Sequence, residues 1–412
     1  MKATAFSSVD KSEDQESMAV VPVRSVRRRN VSDPSSEVLE TTDLLQQILA
    51  KLPAKMVFGF TLVSRYWNEV IIDPKLVCHL KVPRNPTAVF VRRSVMHNDN
   101  VKFTHIPLEG VAGGGGARIR RSTVSLNLLE NENFTNVPFV IGHSGNGLMI
   151  CSSCEPRCYF LYNPTTKKRE RIPELKTSVV ISMHISFQAS GRHKIVAVYS
   201  TSDKLQLHVL EPNKSIPHWR NTVVDFPVLG LDVVNYGYGV DIDGVIYWPC
   251  YKSSSLMLFN VREETLQWLP EVPQPYNKFS GITYFGECKG NLRMVVNSSM
   301  IGPTFDMLEL KPDHSMWFIK YHIDLTPRVR RTNWLPILVL ALLPGEDQEE
   351  DDSYLIIHIL TEVVSYNFKD ASMRKLCDLC FRPTEYLYLR SEPWNYVHSY
   401  LQNPTYPRLT AS

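Results

Sequence analysis

The chain has 412 residues, 43% hydrophobic and 21% charged, with a formal net charge of +3. That length suits one large domain plus a small one, and so small a net charge demands neither a nucleic-acid nor a membrane partner. The 27 prolines, many of them between short apolar runs, favour strands and turns over long helices.

Residues 1–40 show no hydrophobic periodicity and read as a disordered tail, in which Arg24, Arg27, Arg28 and Arg29 form either a nuclear-import patch or a solvated charge run. No apolar run near the start could serve as a signal peptide. The most apolar stretch, Leu335 to Leu343, is too short to span a bilayer and reads as a buried strand. The expected location is therefore intracellular, nucleus or cytoplasm, with the eight cysteines reduced.

Residues 41–82 read as a helical module. Asp43 followed by Gln46 predicts a capped helix start. Leu45, Ile48, Leu49 and Leu52 then form one apolar stripe, and Pro53 ends the helix. Met56, Phe60 and Val63 make a second stripe. Ser64 is a candidate cap for a third helix carrying Trp67, Val70 and Ile71 on one side, and Asp73-Pro74 suggests one more start. Helices this short cannot bury all of that apolar surface among themselves, so they require a further surface in the same chain or another.

From residue 86 to about 405 the texture is strand and turn. Strand-end anchors recur at Asn163, Glu211, Asn260, Leu310 and Asn367, spaced by 48, 49, 50 and 57 residues, and Trp219, Trp268 and Trp317 recur 49 apart. The longest interval contains the acidic run 346–352. A repeat of about 50 residues is the signature of a propeller blade, whose sheet buries both faces only when stacked in a ring. Five copies plus flanking material predict six or seven blades, with 406–412 left as a tail.

Other chemistry is less well marked. Cys151 and Cys154 with Cys158, and Cys377 with Cys380, have the spacing of zinc pairs, but no third pair or histidine cluster accompanies them, and ordinary strand or turn cysteines are the plainer reading. Gly113–Gly116 lacks the lysine and hydroxyl residue of a phosphate loop. Ser144 lacks the last glycine of a nucleophile elbow. Neither a cofactor nor a catalytic residue is expected. The basic clusters 118–121 and 328–331 and the acidic run read as solvated loop charge.

The helical segment resembles an F-box: Asp43-Leu44-Leu45, Ile48-Leu49-Ala50-Lys51-Leu52-Pro53, Lys55, Phe60, Val63-Ser64, Trp67-Asn68 and Ile72-Asp73-Pro74 keep its order and spacing. The rest resembles the F-box-associated, kelch-like propeller of plant F-box proteins, through Gly142–Leu148, Tyr162-Asn163-Pro164-Thr165-Thr166, Asp243–Trp248 and Glu287–Leu292. The chain departs from the motif where Glu40-Thr41-Thr42 replaces the usual Leu-Pro and Gly59 replaces a basic residue. The resemblance implies a small all-α F-box module before an all-β propeller, acting as the substrate-recognition subunit of a Skp–cullin–F-box ubiquitin ligase. Its implied partners are a Skp-type adaptor, through it the cullin–RING core, and an unknown target protein. The implied adaptor contact is Leu44, Leu45, Ile48, Leu52, Pro53, Phe58, Leu62 and Trp67, some of which would instead hold the module together. The alternatives are a propeller-fold carbohydrate-binding protein or enzyme, or an F-box protein working outside the ligase.

Overall fold

The structure is a computed structural model. It describes residues 41–52, 54–71, 73 and 76 of the helical segment and, from 86 to 400, the strands below with some of their adjoining turns. Contact clustering separates residues 1–45 from residues 46–412.

Three short helices come first: α1 (Thr42–Leu49), α2 (Ala54–Gly59), continued by a 3-10 turn Phe60–Leu62, and α3 (Arg65–Ile71). The opening hydrogen bond of α1 runs from the Leu45 amide to the Thr41 carbonyl, which places Asp43 inside the first turn rather than at the cap. Gln46 does not return to the helix start; its amide donates to Asp73, 3.2 Å away. Ser64 does cap α3, its Oγ accepting the Trp67 amide at 3.1 Å.

Among the described residues 24 strands form six four-stranded antiparallel sheets. Strands β1 (Ala88–Arg93), β2 (Lys102–Pro107) and β3 (Ser122–Ser125) open the series. Blade 1 is β4 (Phe139–Gly145), β5 (Leu148–Ser153), β6 (Tyr159–Asn163) and β7 (Lys168–Arg171). Blade 2 is β8 (Val180–Phe187), β9 (His193–Ser200), β10 (Lys204–Leu210) and β11 (Trp219–Pro227). Blade 3 is β12 (Val240–Ile242), β13 (Val245–Pro249), β14 (Leu256–Asn260) and β15 (Thr265–Trp268). Blade 4 is β16 (Ile282–Cys288), β17 (Asn291–Asn297), β18 (Thr304–Leu310) and β19 (Trp317–Asp324). Blade 5 is β20 (Leu338–Leu343), β21 (Tyr354–Ile359), β22 (Glu362–Asn367) and β23 (Met373–Asp378). The last strand, β24 (Val397–Tyr400), pairs with β1 and completes a composite sheet β24-β1-β2-β3.

The expected six or seven blades are corrected to five blades of consecutive strands, one for each sequence anchor, because the flanking material forms a single sheet shared by the two ends of the chain. The first strand of every blade lies against the first strand of the next, and β24 lies between β20 and β4. This arrangement closes the ring and leaves only the short edges of the innermost and outermost strands unpaired.

At two of the anchors an asparagine at the end of the third strand folds the next turn. The Asn260 Oδ1 accepts the amides of Arg262 and Glu263, and the Asn367 Oδ1 accepts that of Lys369. The tryptophan repeat is less regular. Trp219 and Trp317 open their fourth strands, whereas Trp268 closes β15, because that strand starts only five residues after its anchor. Trp317 is buried as a result and Trp268 is half exposed. Asp243-Gly244 and Lys289-Gly290 have positive φ at both residues, the two-residue hairpin geometry that matches strand twist.

Apolar side chains fill the seams between blades, and β20 is buried along its whole length. Polar staples cross the same seams. Trp219 donates to the Pro173 carbonyl between blades 1 and 2, and Trp248 donates to His184 Nε2 at 3.0 Å between blades 2 and 3. Between blades 3 and 4 the Tyr238 hydroxyl donates to the Phe285 carbonyl at 2.6 Å and accepts the Phe285 amide. At the fourth seam Arg293, 1% exposed, binds Glu309 at 2.7 Å and approaches Ser353 of the next blade. No helix among the described residues is long and apolar enough to cross a membrane.

Candidate adaptor-docking surface

The helical module sorts its apolar side chains into two sets. Leu45, Leu49, Val57, Val70, Ile71 and Leu76 are buried. Leu44, Ile48, Met56, Leu62 and Val63 are exposed, Leu62 at 91%. These are five of the nine exposed large apolar residues among the described residues, and all five fall between Leu44 and Val63. Exposed apolar residues grouped in this way are candidates for an interaction surface, whereas single ones are not.

Helix geometry explains the sorting in α1. Leu45 and Leu49 are four apart and share the inner row, and Leu44 and Ile48 share the neighbouring outer row. The single stripe expected from the sequence thus divides, with Ile48 on the outer side. In α2 the stripe of Met56, Phe60 and Val63 is not the buried one. Met56 and Val63 face solvent, Phe60 is half-buried and Val57 takes the interior position. The 3-10 turn Phe60–Leu62 interrupts the 3.6-residue period before Val63.

The eight residues implied for adaptor contact separate accordingly. Leu44, Ile48 and Leu62 are exposed. Leu45 is wholly buried, a position that supports the module from inside. Leu52 is half-buried, as is Trp67, whose ring stands edge-on to Phe60 at 5.6 Å and braces the 3-10 turn against α3. Pro53 and the side chain of Phe58 lie outside the described residues. Met56 and Val63 were missed as outward-facing positions; the one sequence signal was Gly59, a poor helix residue placed just before the change of geometry. A Cβ built on Gly59 meets nothing within 4 Å.

The propeller carries the other features singled out in the sequence. Cys151 is buried on β5 and desolvation raises its thiol to about 12, a protonated group rather than a ready thiolate ligand. Cys377 lies on β23 and Cys380 just beyond it, in a blade separated from that of Cys151 by the composite sheet. Among the described residues no three His, Cys, Asp or Glu side chains gather as a metal site. Ser144 lies on β4 with its side chain outside the described residues, as are Cys154, residues 113–116, the basic cluster 118–121, most of 328–331 and the acidic run 346–352.

Residues 121–300, from β3 to just past β17, match the family described as F-box associated beta propeller domain. The chain is 26% identical to F-box protein At5g07610 of Arabidopsis thaliana, over 86% of this chain and 90% of that protein. It is 27% identical to Putative F-box protein At5g62660 of the same plant, over 64% and 72% respectively. Solved structures resemble it only weakly: a chain of the "Crystal structure of Nidogen/Laminin Complex" superposes with a TM-score of 0.40 at 9% identity, covering 77% of this chain and 99% of that one. The chain is therefore similar to plant F-box proteins over most of its length, and residues 121–300 are similar to the F-box associated beta propeller domain.

Proposed function

We propose that this protein is a plant F-box protein that serves as a substrate-recognition subunit of a Skp–cullin–F-box ubiquitin ligase. The helical module docks on a Skp-type adaptor, which links it to the cullin–RING core. The propeller holds a target protein for ubiquitination. The chain has no chemistry of its own in this scheme, and neither nucleic acid nor membrane takes part. It works in the nucleus or cytoplasm.

The observation that carries this reading is the run of exposed apolar side chains at Leu44, Ile48, Met56, Leu62 and Val63 in a chain similar to F-box proteins. Burying a leucine fully stabilises a complex by roughly 1.5–3 kcal/mol, so several such residues offset much of the cost of association. Leu44, Ile48 and Leu62 supply the contact, with Met56 and Val63 added to it. Leu45, Leu52 and Trp67 keep the helices in place behind it.

The test is affinity purification of the full chain from plant cells with the proteasome inhibited. The expected outcome is recovery of a Skp-type adaptor and a cullin, with a third protein accumulating on the wild-type chain. Recovery of a third protein without adaptor or cullin would place the protein outside the ligase.

A further inference from the structure

We propose that the seam between blades 2 and 3 is a pH-responsive joint of the ring, which closes fully only while the Asp241 carboxyl holds a proton. This inference is independent of the adaptor reading.

The seam is built around polar groups on the innermost strands. On β8 the residues Ser182, His184 and Ser186 alternate toward blade 3. His184 and Ser186 are fully buried. The Trp248 indole can only donate, so His184 Nε2 is the acceptor and the ring is fixed as the tautomer protonated on Nδ1. A Cβ at Gly239 would stand 2.7 Å from both the His184 ring and Trp248 Nε1, so the backbone passes this pair with no room for a side chain.

Asp241 lies next along the seam, on β12. Val240 and Ile242, its neighbours, pack toward blade 4, which turns Asp241 to the blade 2 side. Its Oδ2 accepts the Phe187 amide of β8 at 2.9 Å. Its Oδ1 is buried and accepts no hydrogen bond among the described residues. An ionised carboxylate in that position has one oxygen without solvation, whereas the neutral acid does not carry that charge.

Three neighbours lower the carboxyl: the Phe187 amide and Ser186 hydroxyl of β8 and the Gly244 amide of its own hairpin turn. Asp243 of that turn, a like charge, raises it. From β13 comes Tyr247, itself pushed up to about 12 by desolvation and by these two aspartates. Tyr247 in turn meets His314 of blade 4 at 3.1 Å. From β8 comes His184, whose Nε2 accepts from Trp248. Glu287 and Cys288 of β16 belong to the strand facing the opposite side of β12. Among the described residues no cation stands with these groups, and desolvation outweighs the hydrogen bonds, raising Asp241 from 3.8 to about 7.

The direction of the effect follows from linkage. Below the ordinary aspartate range the group is protonated in both folded and unfolded chains. Between that range and about 7 the folded chain keeps the proton and the unfolded chain has lost it, so rising pH favours unfolding. Above about 7 both are ionised and the loss is complete.

The experiment is urea unfolding of the full chain from pH 5 to 8.5, for wild type and Asp241→Asn. The folding equilibrium of the wild type should fall, relative to the variant, by up to about tenfold per pH unit below pH 7. Profiles that stay parallel across the range would overturn the proposal. Should Asp241→Asn fail to fold, hydrogen exchange on the wild type decides. After correction for intrinsic chemistry, the segment 182–187 should lose protection between pH 5.5 and 8 relative to 304–310 in blade 4, and equal protection at both pH values would overturn it.

Discussion

The helical segment and the propeller treat apolar side chains in opposite ways. In β20 every residue from Leu338 to Leu343 is buried, and cross-blade hydrogen bonds brace the seams beside such strands. Between Leu44 and Val63 five large apolar residues are left in solvent. A closed ring satisfies its own strands, since each blade covers the face of the next and β24 removes the free edge at the closure. Three short helices have no such device, and they leave an outer row in solvent. On the proposed function that row is the part of the chain that a second protein covers, whereas the ring covers its own strands.

That comparison is broken most severely by damaging a seam. Glu309→Ala leaves Arg293 buried without its carboxylate, although Lys320 also binds Glu309 at 2.8 Å and loses a partner too. The expected loss is about 3–5 kcal/mol in chemical denaturation. Trp248→Ala, which removes a fully buried ring and its bond to His184, should cost about as much, roughly 3–5 kcal/mol. A much smaller loss at Trp248 would mean that the seam between blades 2 and 3 does not carry the ring, and at Glu309 that its ion pair inside blade 4 does not hold Arg293 beside blade 5.

The same comparison is sharpened by changes that leave stability alone. Leu62→Asp alters a residue that is 91% exposed, so its effect on unfolding should stay within about 0.5 kcal/mol while adaptor binding falls at least about tenfold. The smallest effect is expected at Gly59. Its φ of −60° is ordinary helix and a Cβ there meets nothing, so Gly59→Ala should stabilise the helical segment by up to about 1 kcal/mol, read by circular dichroism during thermal unfolding.

Much of the propeller was legible because its signals are local. Asparagine anchors fold the turn that follows them, so Asn163, Asn260 and Asn367 mark strand ends wherever they occur. The pairing of β24 with β1 was not legible, since it joins residues about 300 apart and depends on closure of the whole ring. The α3 cap at Ser64 was readable for the same local reason. Which stripe of each helix faces inward was not, because Met56 and Val57 are adjacent apolar residues of which only Val57 is buried, and the 3-10 turn at Phe60 interrupts the helical period before Val63. The buried Arg293 left one trace. It shares a strand face with Val295, where a charge is out of place unless a partner such as Glu309 stands opposite.

The central claim is that solvent-facing leucine and isoleucine on the helices are reserved for another polypeptide. Titration calorimetry of the purified full chain against a purified plant Skp-type adaptor tests it directly, comparing wild type with the double variant Ile48→Asp, Leu62→Asp. The account predicts saturable binding by the wild type and none by the variant, with unfolding midpoints that coincide. Equal affinity for the two proteins would contradict it.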